Sequence, residues 1–570
     1  MKTCFFKYAC LPALGLALMM AGALSAQSDA IQSDVPALKT VYAHDFYIGC
    51  LLSYRHVGFT TDPQIPGQSA VVAPNGGNLI NYHMNSMSPG NNMKPLYTVD
   101  IAASAAAFKS ATAAQKDSVD THPVIRFSAD LIAQLNWAQR QGFTFRGHTL
   151  VWHSQTPAEL FRSGYTTSGA RLSREKMIER MDHYIGSVIR LIHENWPGLL
   201  SAMDVVNEAI TDAGLDRTDS EWYLTFGDNT YLMKAFELTR KHTLALGEGQ
   251  IKLYYNDYNT HLAAKADGIV RVCTPIFQAG YLDGLGMQEH DSNSSPSARQ
   301  WIETYDKFFP ICTEMAVTEL DVTTGSATPA AAVLQTQAYQ YGQLFKCFVE
   351  RSYFSGRGKI ISVSKDGLND QYTFKTNQSS SLWDAKNKCK PAFYAAVDVG
   401  RYFNVLDSLL LAVQTLQESD YTTASWAGLA GAAAYGEHTL TAQYSAALSA
   451  ADSLRKGVEM LQAGLLGLTR ISSGADPVRS LAAPQFTLCQ NYPNPFNPET
   501  RIDFTLPAGS QVELRIYDLL GREVLCPVDA YLGAGAHSVQ IQAAGLESGT
   551  YFYQLKAGRE VMTRRMTLLQ

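Results

Sequence analysis

Along the 570-residue chain the spacing of apolar and polar positions changes character twice. From about Ser33 to Phe403, short apolar, strand-like runs alternate with longer stretches whose apolar residues recur at helical spacing. The short runs predict strands at Tyr47–Leu52, Leu79–Asn85, Thr144–Trp152, Ser201–Glu208, Lys252–Tyr258, Gly284–His290, Met315–Leu320 and Lys359–Val363. Leu131, Ile132, Leu135 and Ala138 mark one intervening helix; Met177, Ile178, Met181, Ile185 and Ile189 mark another. Eight apolar strands with helices between them predict an α/β fold, a (β/α)8 TIM barrel over residues 33–403. The alternative is an open doubly wound sheet, against which stands the lack of a glycine-rich dinucleotide fingerprint.

From about Leu406 to Leu468 the pattern becomes alanine- and leucine-rich at helical spacing, without proline. It predicts a small helical bundle of three helices, with one break and helix cap at Ser419-Asp420-Tyr421-Thr422. Residues 469–485 hold a polar linker that includes Ser472, Ser473, Gly474 and Pro477. From Phe486 to Gln570 alternation takes over. Strands are expected at Arg501–Leu506, Val512–Tyr517, Glu523–Leu525, His537–Ile541 and Thr550–Lys556, with Gly521, Gly533, Gly535 and Gly549 between them. This is the pattern of a C-terminal β-sandwich. Pro493, Pro495 and Pro498 forbid a helix at its start.

Composition narrows the function classes. A net charge of −6 gives no footprint for nucleic acid. Lys2 and Lys7 precede an apolar run, Leu11 to Leu24, and small residues around Ala23 and Ala26 offer cleavage sites. Residues 1–26 therefore predict an export signal; an uncleaved anchor needs a longer span. Cys4 and Cys10 leave with it, so an odd number of cysteines remains and at least one is unpaired within the chain. Their scatter, without any C-x-x-C, argues against zinc, and no cofactor is expected.

Two strand ends carry candidate chemistry. Asp204-Val205-Val206-Asn207-Glu208 and Ala316-Val317-Thr318-Glu319-Leu320-Asp321 are apolar strands ending in carboxylates, the fourth and seventh of the barrel. A barrel presents its working groups at the C-terminal strand ends. A retaining glycosidase needs two carboxyl groups about 5 Å apart across the scissile bond. A single such glutamate is as well explained by a helix cap or surface loop; two at buried-type strand ends are less so.

With these motifs the first region resembles glycoside hydrolase family 10, the endo-β-1,4-xylanases. The resemblance runs through Arg146 to Gln155, Asp204 to Ala209, Tyr255-Asn256-Asp257-Tyr258-Asn259, Gly286-Met287-Gln288-Glu289-His290 and Thr318 to Asp321. It implies that Glu208 is the general acid/base and Glu319 the nucleophile. Asn207 would bond the sugar 2-hydroxyl, His290 would contact the nucleophile, Asp321 would orient His290, and Gln288 would sit by Glu208. Asn91, Lys94, His148 and Trp152 would line the glycone side with Gln155 nearby, and Tyr258 would stack on the aglycone side. For His148 and His290 a buried structural role is the alternative. Tyr421-Thr422, Ser425-Trp426 and the alanine-rich run that follows resemble a FIVAR-like three-helix module. The run Asn491-Tyr492-Pro493-Asn494-Pro495-Phe496-Asn497-Pro498, Ile516-Tyr517-Asp518 with Gly521, and Ser548-Gly549-Thr550-Tyr551 resemble the sorting domain of type IX secretion substrates. That implies export to the cell surface or medium by the type IX machinery; a carbohydrate-binding sandwich is the alternative.

Four positions depart from the family's pattern. Gly90 stands for a glutamate, and Pro95, Asp366 and Phe374 stand for tryptophans. Lost tryptophans remove apolar contact area, so weaker glycone binding or a broader substrate range is expected. Thr60 to Asn78 and Ala102 to Pro123 are insertions after strands, either reshaping the cleft or decorating the surface. The expectation is a secreted retaining endo-β-glycosidase acting on β-1,4-xylan or a related plant or algal β-glycan. Its rival is a non-catalytic cell-surface glycan-binding or adhesion protein with a degraded pocket.

Overall fold

The computed structural model describes residues 31–52, 76–444, 449–471 and all but a few of 486–568. The expected export signal, most of the Thr60–Asn78 insertion and most of the 469–485 linker lie outside the described residues.

Eight strands close a parallel barrel. They are β1 (Tyr47–Leu52), β2 (Ser86–Pro89), β3 (Thr144–Trp152), β4 (Leu200–Asn207), β5 (Lys252–Asp257), β6 (Gly284–Met287), β7 (Glu314–Thr323) and β8 (Ile360–Asp366). Each pairs in parallel with the next, and β8 returns to β1 with Leu51 opposite Asp366. Such strands are buried on both faces and read as continuous apolar runs; β7 is buried from Glu314 through Val322. A short strand, His290–Ser292, continues β6 along β7 and sets His290 opposite Asp321. The closed barrel, not the open sheet, is the fold.

The helices between strands begin where their sequences supply caps. Ser128 accepts from Leu131 N to start Ala129–Gln141, and Ser173 accepts from Lys176 N to start Arg174–Asn195. Ser297 and Gln300 form a reciprocal capping box on Ala298–Phe308. The expected second strand, Leu79–Asn85, is a correction. Residues Gly76–His83 form a helix, and the strand is Ser86–Pro89. Leu79, Ile80 and His83 are buried at helical spacing on one face. A short apolar run does not by itself distinguish the two states.

The insertion after β2 folds into helices Ile101–Ser110 and Lys116–Thr121. It is tied to the loop after β3 through Asp120. Asp120 accepts from Ser163 Oγ and Gly164 N, each at 2.7 Å. The fully buried Arg180 donates to Asp120 Oδ1 at 2.9 Å and to the carbonyls of Leu160 and Arg162 at 2.7 and 3.0 Å. The insertion thus braces a loop on the face where the strands end.

A second compact unit begins near Val405. Helix Pro391–Gln414 runs across the boundary expected at 403–406; Thr423–Thr441 and Ala450–Leu466 follow. The C-terminal region is a sandwich of two antiparallel sheets. Thr487–Leu488, Glu499–Leu506 and Gly535–Gln542 form one. Glu523–Leu532, Ser510–Tyr517, Gly549–Ala557 and Glu560–Leu568 form the other. Ile502, Phe504 and Leu506 meet Val512, Leu514, Ile516, Tyr553 and Leu555 in its core. Strand Glu560–Leu568 went unpredicted because only Met566 and Leu568 are buried along it.

Removing one partner of a fully buried ion pair leaves the other uncompensated. Arg180→Ala should therefore lower barrel stability by about 3–5 kcal/mol, read as the midpoint of denaturant unfolding.

Candidate active site

The C-terminal strand ends open on a cavity of about 720 Å³ into which Glu208 and Glu319 both face. Glu319 belongs to β7 and is 7 % exposed. Its Oε1 accepts from Asn256 Nδ2 at 3.1 Å, and its Oε2 lies 3.5 Å from His290 Nε2. His290 Nδ1 is 2.8 Å from Asp321 Oδ2. Burial alone would lower the His290 pKa, but hydrogen bonds to Asp321 and Glu319 outweigh it and raise the pKa to about 10. The imidazolium thus donates to both carboxylates. Burial would raise the Glu319 pKa. The His290 hydrogen bond and the electrostatic pull of His148, His290 and Arg146 reverse this and hold it well below the ordinary carboxylate range. Glu319 is therefore an anion throughout the physiological range.

His148 and Arg146 act from behind. Arg146 Nη1 donates to both oxygens of Asp204 at 2.9 Å, and His148 Nδ1 lies 2.8 Å from Asp204 Oδ2. All three are buried. His148 is buried and engages Asp204 through Nδ1.

Glu208 follows β4 in a left-handed conformation, φ +54°. For a non-glycine residue this costs about 1–3 kcal/mol and persists where surroundings enforce it. Glu208 N donates to Asn256 O at 2.9 Å, and Arg217 Nε donates to Glu208 O at 3.0 Å. Its carboxylate accepts from Trp152 Nε1 and Gln288 Nε2, both at 2.8 Å. The two glutamates thus sit in different settings, one among cations and one among neutral donors.

Asn256 joins them. Its Nδ2 also donates to Asn207 Oδ1 at 2.9 Å, and its Oδ1 accepts from Thr318 Oγ1 at 2.8 Å. Gly286 lies against Asn256, and a Cβ there would collide with the amide oxygen. Asn207 Oδ1 is fixed as an acceptor, which leaves Asn207 Nδ2 to donate toward the cavity side.

The expected glycone residues form one cluster. Lys94 Nζ donates to Asn91 Oδ1 and Gln155 Oε1, each at 2.8 Å, and lies 4.4 Å from the Trp152 ring centroid. Tyr258 lines the cavity, backed by Lys265 Nζ at 3.3 Å from its ring centroid, and its hydroxyl accepts from Arg217 Nη2 at 3.3 Å. Among the departures, Gly90, Asp366 and Phe374 line the cavity. Pro95 is buried at the first position of helix Pro95–Thr98. Phe374 packs edge-on to His290, centroids 4.8 Å apart. Asp366 Oδ2 accepts from Thr373 Oγ1 at 2.7 Å, while Oδ1 takes no hydrogen bond from a described residue.

Asn256, Arg146 and Asp204 lie within the motifs read from the sequence but had no site role there, and Arg217 lies outside them. Asn256 was findable as an inward-facing polar residue in an otherwise apolar strand. Arg217 sits in a loop with no such signal.

Residues 37–399 match the family model described as glycosyl hydrolase family 10, and residues 490–568 match the secretion system C-terminal sorting domain. The latter indicates export to the cell surface or the extracellular space by type IX secretion. Endo-1,4-beta-xylanase Y of Acetivibrio thermocellus is 32% identical over 393 residues, 66% of this chain and 33% of that protein. The chain thus spans about a third of that relative's length. A putative endo-1,4-beta-xylanase of Caldicellulosiruptor saccharolyticus is 32% identical over 301 residues, 50% of this chain and 94% of that protein. Among solved structures, the CBM22-1 and GH10 modules of Clostridium thermocellum endo-1,4-beta-D-xylanase 10B, complexed with xylohexaose, align with a TM-score of 0.54 and 29% identity. That alignment covers 63% of this chain and 67% of that one.

The raised pKa of His290 stabilises the fold fully below the unfolded value, roughly pH 6.5. The contribution fades as pH rises through about 10. The gap in melting temperature between wild type and His290→Asn should accordingly be widest near pH 6 and close on the alkaline side, as read by thermal scans across pH.

Proposed function

The chain belongs to glycosyl hydrolase family 10, and from that premise we propose that it is a secreted retaining endo-β-glycosidase hydrolysing β-1,4-xylan or a related plant or algal β-glycan. The observation that carries the reading is the pair of glutamates facing one cavity. One is held ionised by His290; the other is held by the neutral donors Trp152 and Gln288.

In the first step Glu319 attacks the anomeric carbon while Glu208, protonated, gives its proton to the departing glycosidic oxygen. The products are a glycosyl ester on Glu319 and a shortened glycan. In the second step Glu208, now a carboxylate, takes a proton from water, which attacks the same carbon and frees Glu319. Two in-line displacements retain the anomeric configuration. Asn207 Nδ2 would donate to a hydroxyl beside the reacting carbon. Asn91, Lys94 and Gln155 would hold the sugar on the nucleophile side, and Tyr258 would stack beyond the scissile bond. His290 and Asp321 keep the leaving carboxylate of the second step an anion. None of these steps uses a metal or an organic cofactor. The partners of this reading are the polysaccharide and, before secretion is complete, the type IX secretion machinery.

The walls support a wider substrate range than a pentose polymer. Gly90 leaves space, and Asp366 offers an open acceptor oxygen. A hexosyl unit carries an extra hydroxymethyl donor that a xylosyl unit lacks.

Three measurements test this reading. Glu208→Gln should lower kcat on xylan by about 10²–10⁴-fold. A 2-fluoroglycoside should trap a covalent adduct on Glu319, and Glu319→Gln should abolish it. Glycan binding without any adduct would instead fit a surface adhesin. On matched aryl β-cellobioside and aryl β-xylobioside, Asp366→Ala should depress the cellobioside-to-xylobioside ratio of kcat/KM by about tenfold. An unchanged ratio removes Asp366 from substrate selection.

A further inference from the structure

Between the residues that hold the two glutamates lies a pair of acids the reaction does not use. Glu289 separates Gln288, which donates to Glu208, from His290, which donates to Glu319. Glu289 turns its backbone into the left-handed region, φ +59°, and its side chain is buried, as is that of Asp291. Glu289 Oε2 and Asp291 Oδ2 both lack a donor. Toward Glu289 come only the Thr260 hydroxyl, at 3.4 Å, and the indole of Trp301. No described N–H or O–H reaches the carboxyl of Asp291, and no lysine or arginine pairs with either acid.

Two buried carboxylates whose only donor is one long hydroxyl contact, and whose nearest cation, His290, is already bonded to Asp321, are not sustainable as two anions. Each is the other's side-chain hydrogen-bonding partner, and two carboxyl groups can bond only when a proton lies between them. Burial and the neighbouring negative charge push Asp291 upward most strongly, so Asp291 is the donor and Glu289 the acceptor. The other titratable groups facing the pair do not supply a positive charge to spare. Asp321 is an anion engaged by His290, while Tyr341 and Cys347 come from helix Ala331–Glu350 with their pKa values raised by burial.

We propose that Glu289 and Asp291 share a proton, and that this hydrogen bond is a positioning element fixing the β6 extension so that Gln288 reaches Glu208 and His290 reaches Glu319. The argument for a role in turnover rests on the glycosidase reading above. The geometry explains why one linkage serves both glutamates. In the short link between strands Gly284–Met287 and His290–Ser292, Gln288 and His290 line the cavity, while Glu289 and Asp291 are buried away from it. When the last shared proton leaves, two anions face each other across two residues of the same strand. Gln288 and His290 then lose their common anchor.

The test uses the full chain and pH profiles of kcat and KM on an aryl β-xylobioside over roughly pH 5 to 10. Glu289→Ala should lower kcat by about tenfold or more, since misplacement of about 1 Å suffices for such losses, with KM within about twofold. Glu289→Gln and Asp291→Asn replace the mobile proton with an amide N–H that does not titrate. Each should restore most of kcat and carry activity to higher pH than wild type. An unchanged kcat in Glu289→Ala, or amide variants whose alkaline limbs superimpose on wild type, overturns the proposal. Should Glu289→Ala fail to fold, the alkaline limbs alone decide. The infrared band of a buried protonated carboxyl, present in wild type and missing in Asp291→Asn, tests the shared proton without turnover. Its absence from wild type also overturns the proposal. An inactive wild type that shows the band would fault the glycosidase reading and leave the shared proton standing.

Discussion

Taking a carboxylate out of water costs several kcal/mol after relaxation, and Glu319 is held as an anion while almost fully buried. Much of the barrel's interior polarity answers to that requirement. His290 supplies a positive charge at the carboxylate, and Asp321 supplies the charge that keeps His290 protonated. Arg146 and His148 add their pull from beneath, and Asp204 holds both. Remove Glu319 from this scheme and the buried Asp204, Asp321, Arg146 and His148, with the partly buried His290, lose much of their reason to be there.

The strand register delivers these partners. His148 lies opposite Asp204 between β3 and β4, Asn207 opposite Asn256 between β4 and β5, and His290 opposite Asp321 beside β7. Each of these three pairs joins neighbouring parallel strands at the same level of the barrel. A one-residue slip would turn every one of these side chains to the other face. The hydrogen-bonded ladder that closes the fold therefore also sets the distances in the site. Glu208 is the exception. It lies one residue past β4, where Arg217 and Asn256 hold its left-handed backbone.

This explains what the sequence let through. Strands buried on both faces stand out as apolar runs, so seven of the eight were located, four of them to within a residue or two at both ends, and the carboxylates ending β4 and β7 were visible as interruptions of those runs. The second strand was not, because Leu79 to His83 carries equal apolar content at helical spacing and Ser86–Pro89 is too short and polar to announce itself. Asn256 shows only as a polar residue within a buried strand, its contacts being distant in sequence, and Arg217 sits in a loop with no local signal at all. The shared proton of Glu289 and Asp291 is less legible still, since it depends on the absence of donors around them.

On the proposed reading, the same distinction separates the residues that would break the bond from those that would choose the sugar. The former are interlocked across β3 to β7, so substitution at one disturbs several strands. The departures from the family's pattern lie elsewhere. Gly90 follows β2, and Asp366, Thr373 and Phe374 belong to the end of β8 and its loop. Among the described residues, Asp366 takes its side-chain hydrogen bonds only within its own loop, through Oδ2, and Phe374 meets His290 with the edge of its ring. These walls can change shape and polarity without altering the register that positions the glutamates. A chain can thus keep the double-displacement centre of its family while its sugar-binding surface moves away from a xylan-shaped slot. A conserved-looking centre is for that reason strong support for the reaction type and much weaker support for the identity of the glycan.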